Sequence, residues 1–120
     1  MIFGVPDNTE RFPEKYRLKR PSDFQEVFKT ATRYADKKFL VLARNNDMEI
    51  ARLGLAVSAK RIRTAVRRNK VKRLIRESFR RNRDRLRGLD IVVVVHKGAG
   101  TADNALISQA LCGIWDRMVR

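Results

Sequence analysis

Lys60-Arg61-Ile62-Arg63-Thr64-Ala65-Val66-Arg67-Arg68-Asn69-Lys70-Val71-Lys72-Arg73-Leu74-Ile75-Arg76-Glu77-Ser78-Phe79-Arg80, running on to Arg87, decides how the rest of the chain must fold. Residues 60–87 hold 14 of the chain's 28 lysines and arginines but only two acids, Glu77 and Asp84. Within them Val71, Leu74, Ile75, Ser78 and Phe79 recur at the spacing of one buried helix face. At about 100° per residue, Asn69, Arg73, Arg76, Arg80 and Arg87 gather on the opposite side, with Lys72 and Arg83 flanking. Glu77 falls near that side and can pair with Arg73 or Arg81 one turn away. The stretch is therefore an amphipathic helix with a core side and a guanidinium array. Like-charged neighbours such as Arg73–Arg76 and Arg76–Arg80 each cost roughly a few tenths of a kcal/mol. Such an array makes sense opposite a dense polyanion.

Working outward, the helix predicts its own neighbours. Upstream, Leu53-Gly54-Leu55-Ala56-Val57 marks a strand over about 50–58, and Phe39-Leu40-Val41-Leu42-Ala43 marks another within 33–44. Asn45-Asn46-Asp47 is a turn signal, so these two strands are expected to pair as a hairpin, with room in 33–44 for an additional bend or short strand. Downstream, Gly88 suits a C-terminal cap. Ile91-Val92-Val93-Val94-Val95 then reads as a strand covered on both faces or central in its sheet. A strand–helix–strand passage from 50–58 to 91–95 implies parallel pairing in one sheet. Ser22-Asp23-Phe24-Gln25 is a capping-box signature opening a short helix over about 22–31, with Phe24, Val27, Phe28 and Ala31 as its apolar stripe. A last helix starts near Thr101 or Asp103 and buries Leu106, Ile107, Ala110, Leu111, Ile114, Trp115 and Met118. The order is α-β-β-(β)-α-β-α, an α+β fold of two-layer α/β sandwich type. Residues 1–14 read as an irregular arm punctuated by Pro6 and Pro13, and 15–120 as a single α/β domain.

A chain of 120 residues with 43% hydrophobic residues supports one core, yet its net charge is +15. Nucleic acid and an anionic membrane surface both fit such a charge. No apolar run reaches the roughly 18 residues of a spanning helix, and Arg forks match phosphate oxygens two at a time, which favours nucleic acid. Cys112 is the sole cysteine, so no intrachain disulfide forms, and its apolar surroundings suggest a buried thiol. No secretory leader is apparent, and a cytoplasmic protein is expected. His96 stands alone at the end of an apolar run, poorly suited to metal ligation or acid–base work. No metal cluster, paired carboxylates, Gly-rich phosphate loop or nucleophile motif occurs, so no catalytic residue and no protein-bound metal are expected. Phe24 and Phe28, one turn apart, are either core packing or an aromatic wall on which an unpaired base stacks, worth roughly 1–3 kcal/mol per base.

The string Ala65–Phe79 resembles the signature of the bacterial ribonuclease P protein subunit: an R-N-R motif, then K-R, then R-E or R-Q on one helix. Arg17-Leu18-Lys19, Asp23-Phe24-Gln25-Glu26-Val27-Phe28, Leu53-Gly54-Leu55-Ala56-Val57-Ser58-Ala59-Lys60 and Asp90–Val95 match that family in order and approximate spacing. The resemblance covers about residues 15–118. It implies a left-handed βαβ crossover, an exception to the usual hand. It implies a protein that assists a catalytic RNA in removing the 5′ leader of precursor tRNA. The partners would be ribonuclease P RNA and precursor tRNA, with neither membrane nor DNA. Mg²⁺ would be held by the RNA subunit and substrate, and the protein alone would hydrolyse nothing. Carried over by position, Arg68, Asn69, Lys70, Lys72, Arg73 and Arg76 would face RNA, together with Arg80 on the same side. Phe24, Phe28, Leu42, Ser58 and Lys60 would belong to a cleft for the single-stranded leader, so that Phe24→Ala mainly hurts leader-bearing substrate. Lys70 stands where the motif usually has a second Arg, keeping charge but losing the fork. Leu42 stands where some members place an aromatic ring. The alternative is a ribosomal-type structural RNA-binding protein without a role in cleavage; a DNA-binding regulator lacks the helix-turn-helix pair it would need.

Overall fold

The computed structural model describes residues 2–3, 16–18, 21–57, 60–100 and 102–119. The described elements run β1 (Ile2–Phe3), α1 (Pro21–Thr30), β2 (Thr32–Ala35), β3 (Phe39–Asn45), β4 (Arg52–Ala56), α2 (Ala65–Asn82), β5 (Leu89–Val95), a 3-10 turn (Lys97–Gly100) and α3 (Asn104–Met118). This is the α+β order expected, with the optional strand present as β2. The two residues of β1 pair antiparallel with β4, inside the stretch read as an irregular arm. Most of that arm lies outside the described residues.

The strands form one sheet in the order β1-β4-β5-β3-β2. Its centre is β5, whose Ile91, Val92 and Val93 have no exposed surface. An unbroken β-branched run must be covered on both faces, and only an interior strand is. β5 pairs parallel with β4, Leu53 opposite Ile91 and Leu55 opposite Val93, as the strand–helix–strand reading requires. It pairs antiparallel with β3 on its other side, Val41 opposite Val93. The expected β3–β4 hairpin is therefore wrong, because β5 lies between the two. The hairpin that forms is β2–β3, closed where Asp36 N–H donates to the Phe39 carbonyl (2.8 Å) and Lys38 N–H to Asp36 Oδ1 (2.8 Å). Asn45-Asn46-Asp47 does turn the chain, with Asp47 at φ 56°. It leads to the far side of β5, where Asn46 Nδ2 donates to Asp90 Oδ1 (3.0 Å) and the Ile50 carbonyl (3.1 Å). Asp90 also receives a two-pronged bond from Arg52, Nε to Oδ1 and Nη2 to Oδ2, both 2.8 Å. That bond raises the Arg52 pKa, partly opposed by burial. One guanidinium is thus committed to the sheet.

Helices cover both faces. Val71, Ile75, Ser78 and Phe79 of α2 and Ile107, Leu111, Ile114 and Trp115 of α3 are buried in the larger core with Val41, Leu55 and Val93. Trp115 Nε1 donates to Ser78 Oγ at 2.9 Å, so the indole N–H entering the core is satisfied and the two helices are pinned. On the other face α1 adds a partial third layer, burying Phe24 and Val27 with Leu18, Leu42 and Val92. α1 starts at Pro21, which suits a first helical position, so Ser22 lies inside the helix it was expected to cap. α2 ends at Asn82, six residues before Gly88. Gly88 instead takes φ 81° in the turn into β5, a conformation that favours glycine. Cys112 is exposed, against expectation, because α3 buries the stripe 107, 111, 114 and 115 and residue 112 falls off it.

Gly54 holds α1 in place by lacking a side chain. A Cβ there would lie 2.4 and 2.5 Å from Cε1 and Cζ of the Phe24 ring and 3.3 Å from Leu18 Cβ. Phe24 is itself buried and has nowhere to go. Gly54→Ala is expected to destabilise the domain by about 1–3 kcal/mol through overpacking. The check is a lower urea midpoint at unchanged slope, and an unaltered midpoint would contradict the packing described.

Candidate nucleic-acid interface

Thr64 starts the basic helix: its backbone is extended and its hydroxyl accepts from Arg67 N–H at 3.2 Å. From there the period of 3.6 sends the apolar residues inward and leaves Asn69, Lys70, Arg73, Arg80 and Arg81 exposed, with Lys72 and Arg76 half-buried at the margins. Glu77 is the one acid on this helix, and it lies 3.9 Å from Arg80 and 3.7 Å from Arg81. One carboxylate shared at such distances offsets little of the repulsion. Arg80 and Arg81 also sit in the last turn, where the helix dipole favours cations. Arg73 is neither buried nor bonded to an acid among the ion pairs of the described residues. Asn69, Arg73, Arg80 and Arg87 face outward as the sequence reading required, while Arg76, expected among them, is half-buried with its Nη2 enclosed.

Arg68 departs from it. Its Nη1 donates to the carbonyls of Ile62 (2.8 Å) and Arg63 (3.0 Å), back along the chain. Arg67, absent from the expected set, donates from Nε to the Gly100 carbonyl (2.7 Å) and from Nη2 to that of Ala102. An open cavity of about 300 Å³ lies at the start of α2, lined by Lys60, Arg61, Arg63, Thr64, Arg67 and Lys97 among others. Parallel pairing explains the assembly. β4 and β5 run the same way, so the segments that follow them emerge at the same sheet edge, where Ile62 Cγ1 comes within 3.3 Å of where a Cβ on Gly100 would lie. Arg61 and Arg63 could have been noticed from the cationic run, since they straddle the buried Ile62. Lys97 carries no local signal. Arg61 Nη1 donates to His96 Nδ1 at 2.8 Å, which makes the imidazole an acceptor here, since a guanidinium has only donors.

The leader-cleft residues separate. Phe24 and Leu42, each 2% exposed, are core residues packed under α1, so the packing alternative holds for Phe24. Phe24→Ala would empty the core beneath α1 before it altered any contact with RNA. Phe28 is 48% exposed on the same helix, and Lys60 is exposed at the cationic rim. Ser58 lies outside the described residues. Among the described residues no three His, Cys, Asp or Glu side chains converge to hold a metal ion, and no helix is long and apolar enough to cross a membrane.

Residues 12–119 match the family model described as Ribonuclease P. The chain is 43% identical over 110 residues to the ribonuclease P protein component of Pseudomonas savastanoi pv. phaseolicola, covering 91% of this chain and 83% of that one. It is 43% identical over 107 residues to that of Thioalkalivibrio sulfidiphilus, covering 89% of each. Among solved structures, the RNase P protein of Staphylococcus aureus aligns with a TM-score of 0.80 at 34% identity, over 86% of this chain and 94% of that one. The Thermotoga maritima RNase P protein aligns with a TM-score of 0.75 at 37% identity, over 84% and 96%.

Proposed function

The chain belongs to the ribonuclease P protein family, whose members work in tRNA 5′ maturation, and from that premise we propose how this one contributes. It binds ribonuclease P RNA and the precursor tRNA together in the cytoplasm, and the RNA subunit carries out the cleavage. Magnesium held by the RNA and substrate supplies the phosphodiester chemistry. The chain's own residues neutralise phosphates and hold the two RNAs in contact. The observation that carries this reading is the outward array of Lys70, Arg73, Arg80 and Arg81 on a helix whose other face is core. Each phosphate it neutralises releases condensed counter-ions, and that release is the driving force. Asn69 adds an amide that can donate and accept without charge. Lys72 and Arg76 flank the array and keep their stems against the domain. The leader passes the cationic rim, with Lys60 on its phosphates and the exposed Phe28 ring available to stack on a base.

The test is reconstitution with a bacterial ribonuclease P RNA at low Mg²⁺. The chain should restore precursor-tRNA cleavage that the RNA alone performs poorly there, while RNA-free protein cleaves nothing. Arg73→Ala should weaken RNA binding about tenfold and lower the salt slope by about one unit. Its unfolding midpoint should stay unchanged, because Arg73 is exposed. A chain that does not raise cleavage at low Mg²⁺, and sediments with ribosomal particles instead, would be a structural ribosomal-type protein.

A further inference from the structure

Two arginines open the basic motif, and neither is disposed like the rest of it. Arg67 reaches forward to the segment before α3, and Arg68 reaches back to the segment before α2. The backward reach matters for charge. Residues 60–64 have no regular secondary structure apart from a turn, yet they carry Lys60, Arg61 and Arg63, with Lys97 across the cavity. Like charges this close push one another apart, and with nothing to oppose that push the segment would sample many shapes. Several contacts oppose it, the Arg61 Nη1–His96 Nδ1 bond of 2.8 Å among them. Ile62, 3% exposed, is anchored in the core. Next to it, Arg68 Nη1 bonds two successive carbonyls, the negative ends of backbone dipoles. A cation is thereby used to hold other cations in place.

We propose, resting on the ribonuclease P reading above, that Arg68 is a positioning residue: it fixes the 60–64 segment so that Arg61 and Arg63 meet RNA phosphates, and is not itself a phosphate fork. Arginine suits the task because it keeps its proton at every working pH and its planar head reaches six residues back from the first turn of the helix. Lysine would keep the charge but lose the geometry. A phosphate fork would also be weakened by that change, so the free protein separates the two: only a brace loosens the 60–64 segment before any RNA is present.

The experiment uses the full chain and Arg68→Lys. In the free protein, backbone ¹⁵N order parameters at Ile62 and Arg63 should fall from about 0.85 to below about 0.6. Those of Val71–Phe79 should not move. With ribonuclease P RNA and a leader-bearing precursor tRNA, Arg68→Lys should weaken affinity about tenfold although no charge is lost. In an Arg63→Gln background the same change should cost less than about threefold, since the cation it positions is gone. A segment that stays rigid, affinity preserved by lysine, or losses that multiply independently in the double variant would each overturn the proposal. So would loss of the near-ultraviolet signal of Trp115, which would mean that Arg68 serves the fold at large. Failure of the unsubstituted chain to bind the two RNAs would instead remove the ribonuclease P reading, and the order parameters would still decide whether the brace exists.

Discussion

Raising monovalent salt from about 50 to 200 mM is expected to weaken binding of ribonuclease P RNA roughly a thousandfold or more. The expectation comes from counting side chains that can reach phosphates. Lys70, Arg73, Arg80 and Arg81 on α2, and Arg61, Arg63 and Lys97 at the rim, are exposed. If these seven meet phosphates, a plot of log K against log salt should have a slope of about −5 to −6, each contact contributing roughly 0.7–0.9. Arg52 and Arg67 are left out because they are half-buried as well as bonded to Asp90 and to backbone carbonyls, whereas Arg61, one nitrogen of which meets His96, is exposed. A measured slope shallower than about −3 would mean that most of the array never touches RNA. The same titration with Arg73→Ala gives the increment for one named side chain.

Phe79→Ala should be the most damaging single truncation on the inner side of the same helix. The ring has no exposed surface and stands one turn from Ile75, beside the Ser78–Trp115 bond. Removing it leaves a cavity in the larger core, at a cost of about 3–5 kcal/mol. A domain of this size has a total of roughly 5–15 kcal/mol, so the melting temperature should fall by more than about 10 °C. RNA affinity measured well below the new transition should barely change, because the guanidinium side is untouched. A variant that stays stable, or one that folds but no longer binds RNA, would show that the two sides of α2 are not separate in the way described.

The inner side of α2, its outer side and the parallel β4–β5 pairing were legible because each is written in local periodicity. Val71, Ile75 and Phe79 repeat at helical spacing, and Ile91–Val95 is an unbroken β-branched run. What escaped was set by partners distant in sequence. Nothing in residues 39–58 announces that β5 will come between β3 and β4, since the Asn45-Asn46-Asp47 turn looks the same whether it joins neighbours or skips a strand. The resemblance put Phe24 and Leu42 in a cleft, yet core packing, already the alternative for Phe24, holds for both. The Phe24 ring fills the slot left by Gly54 on β4, and Leu42 packs in the same cluster. Cys112 looked buried because apolar residues surround it in sequence, whereas the helix turns it away. The role of Arg68 was hidden for a further reason. A guanidinium bonded to carbonyls and one waiting for phosphate are the same letter.

One helix serves two masters on opposite sides, and this constrains how the family can drift. A single residue inserted near Val71 would rotate every later side chain by about 100°, carrying arginines toward the sheet and Ile75 and Phe79 toward water. Exchange of one residue for another is therefore open to evolution along α2, while gain or loss of length is closed. The turn between Asn82 and Leu89 shares the constraint, because Leu86 within it has no exposed surface and belongs to the larger core.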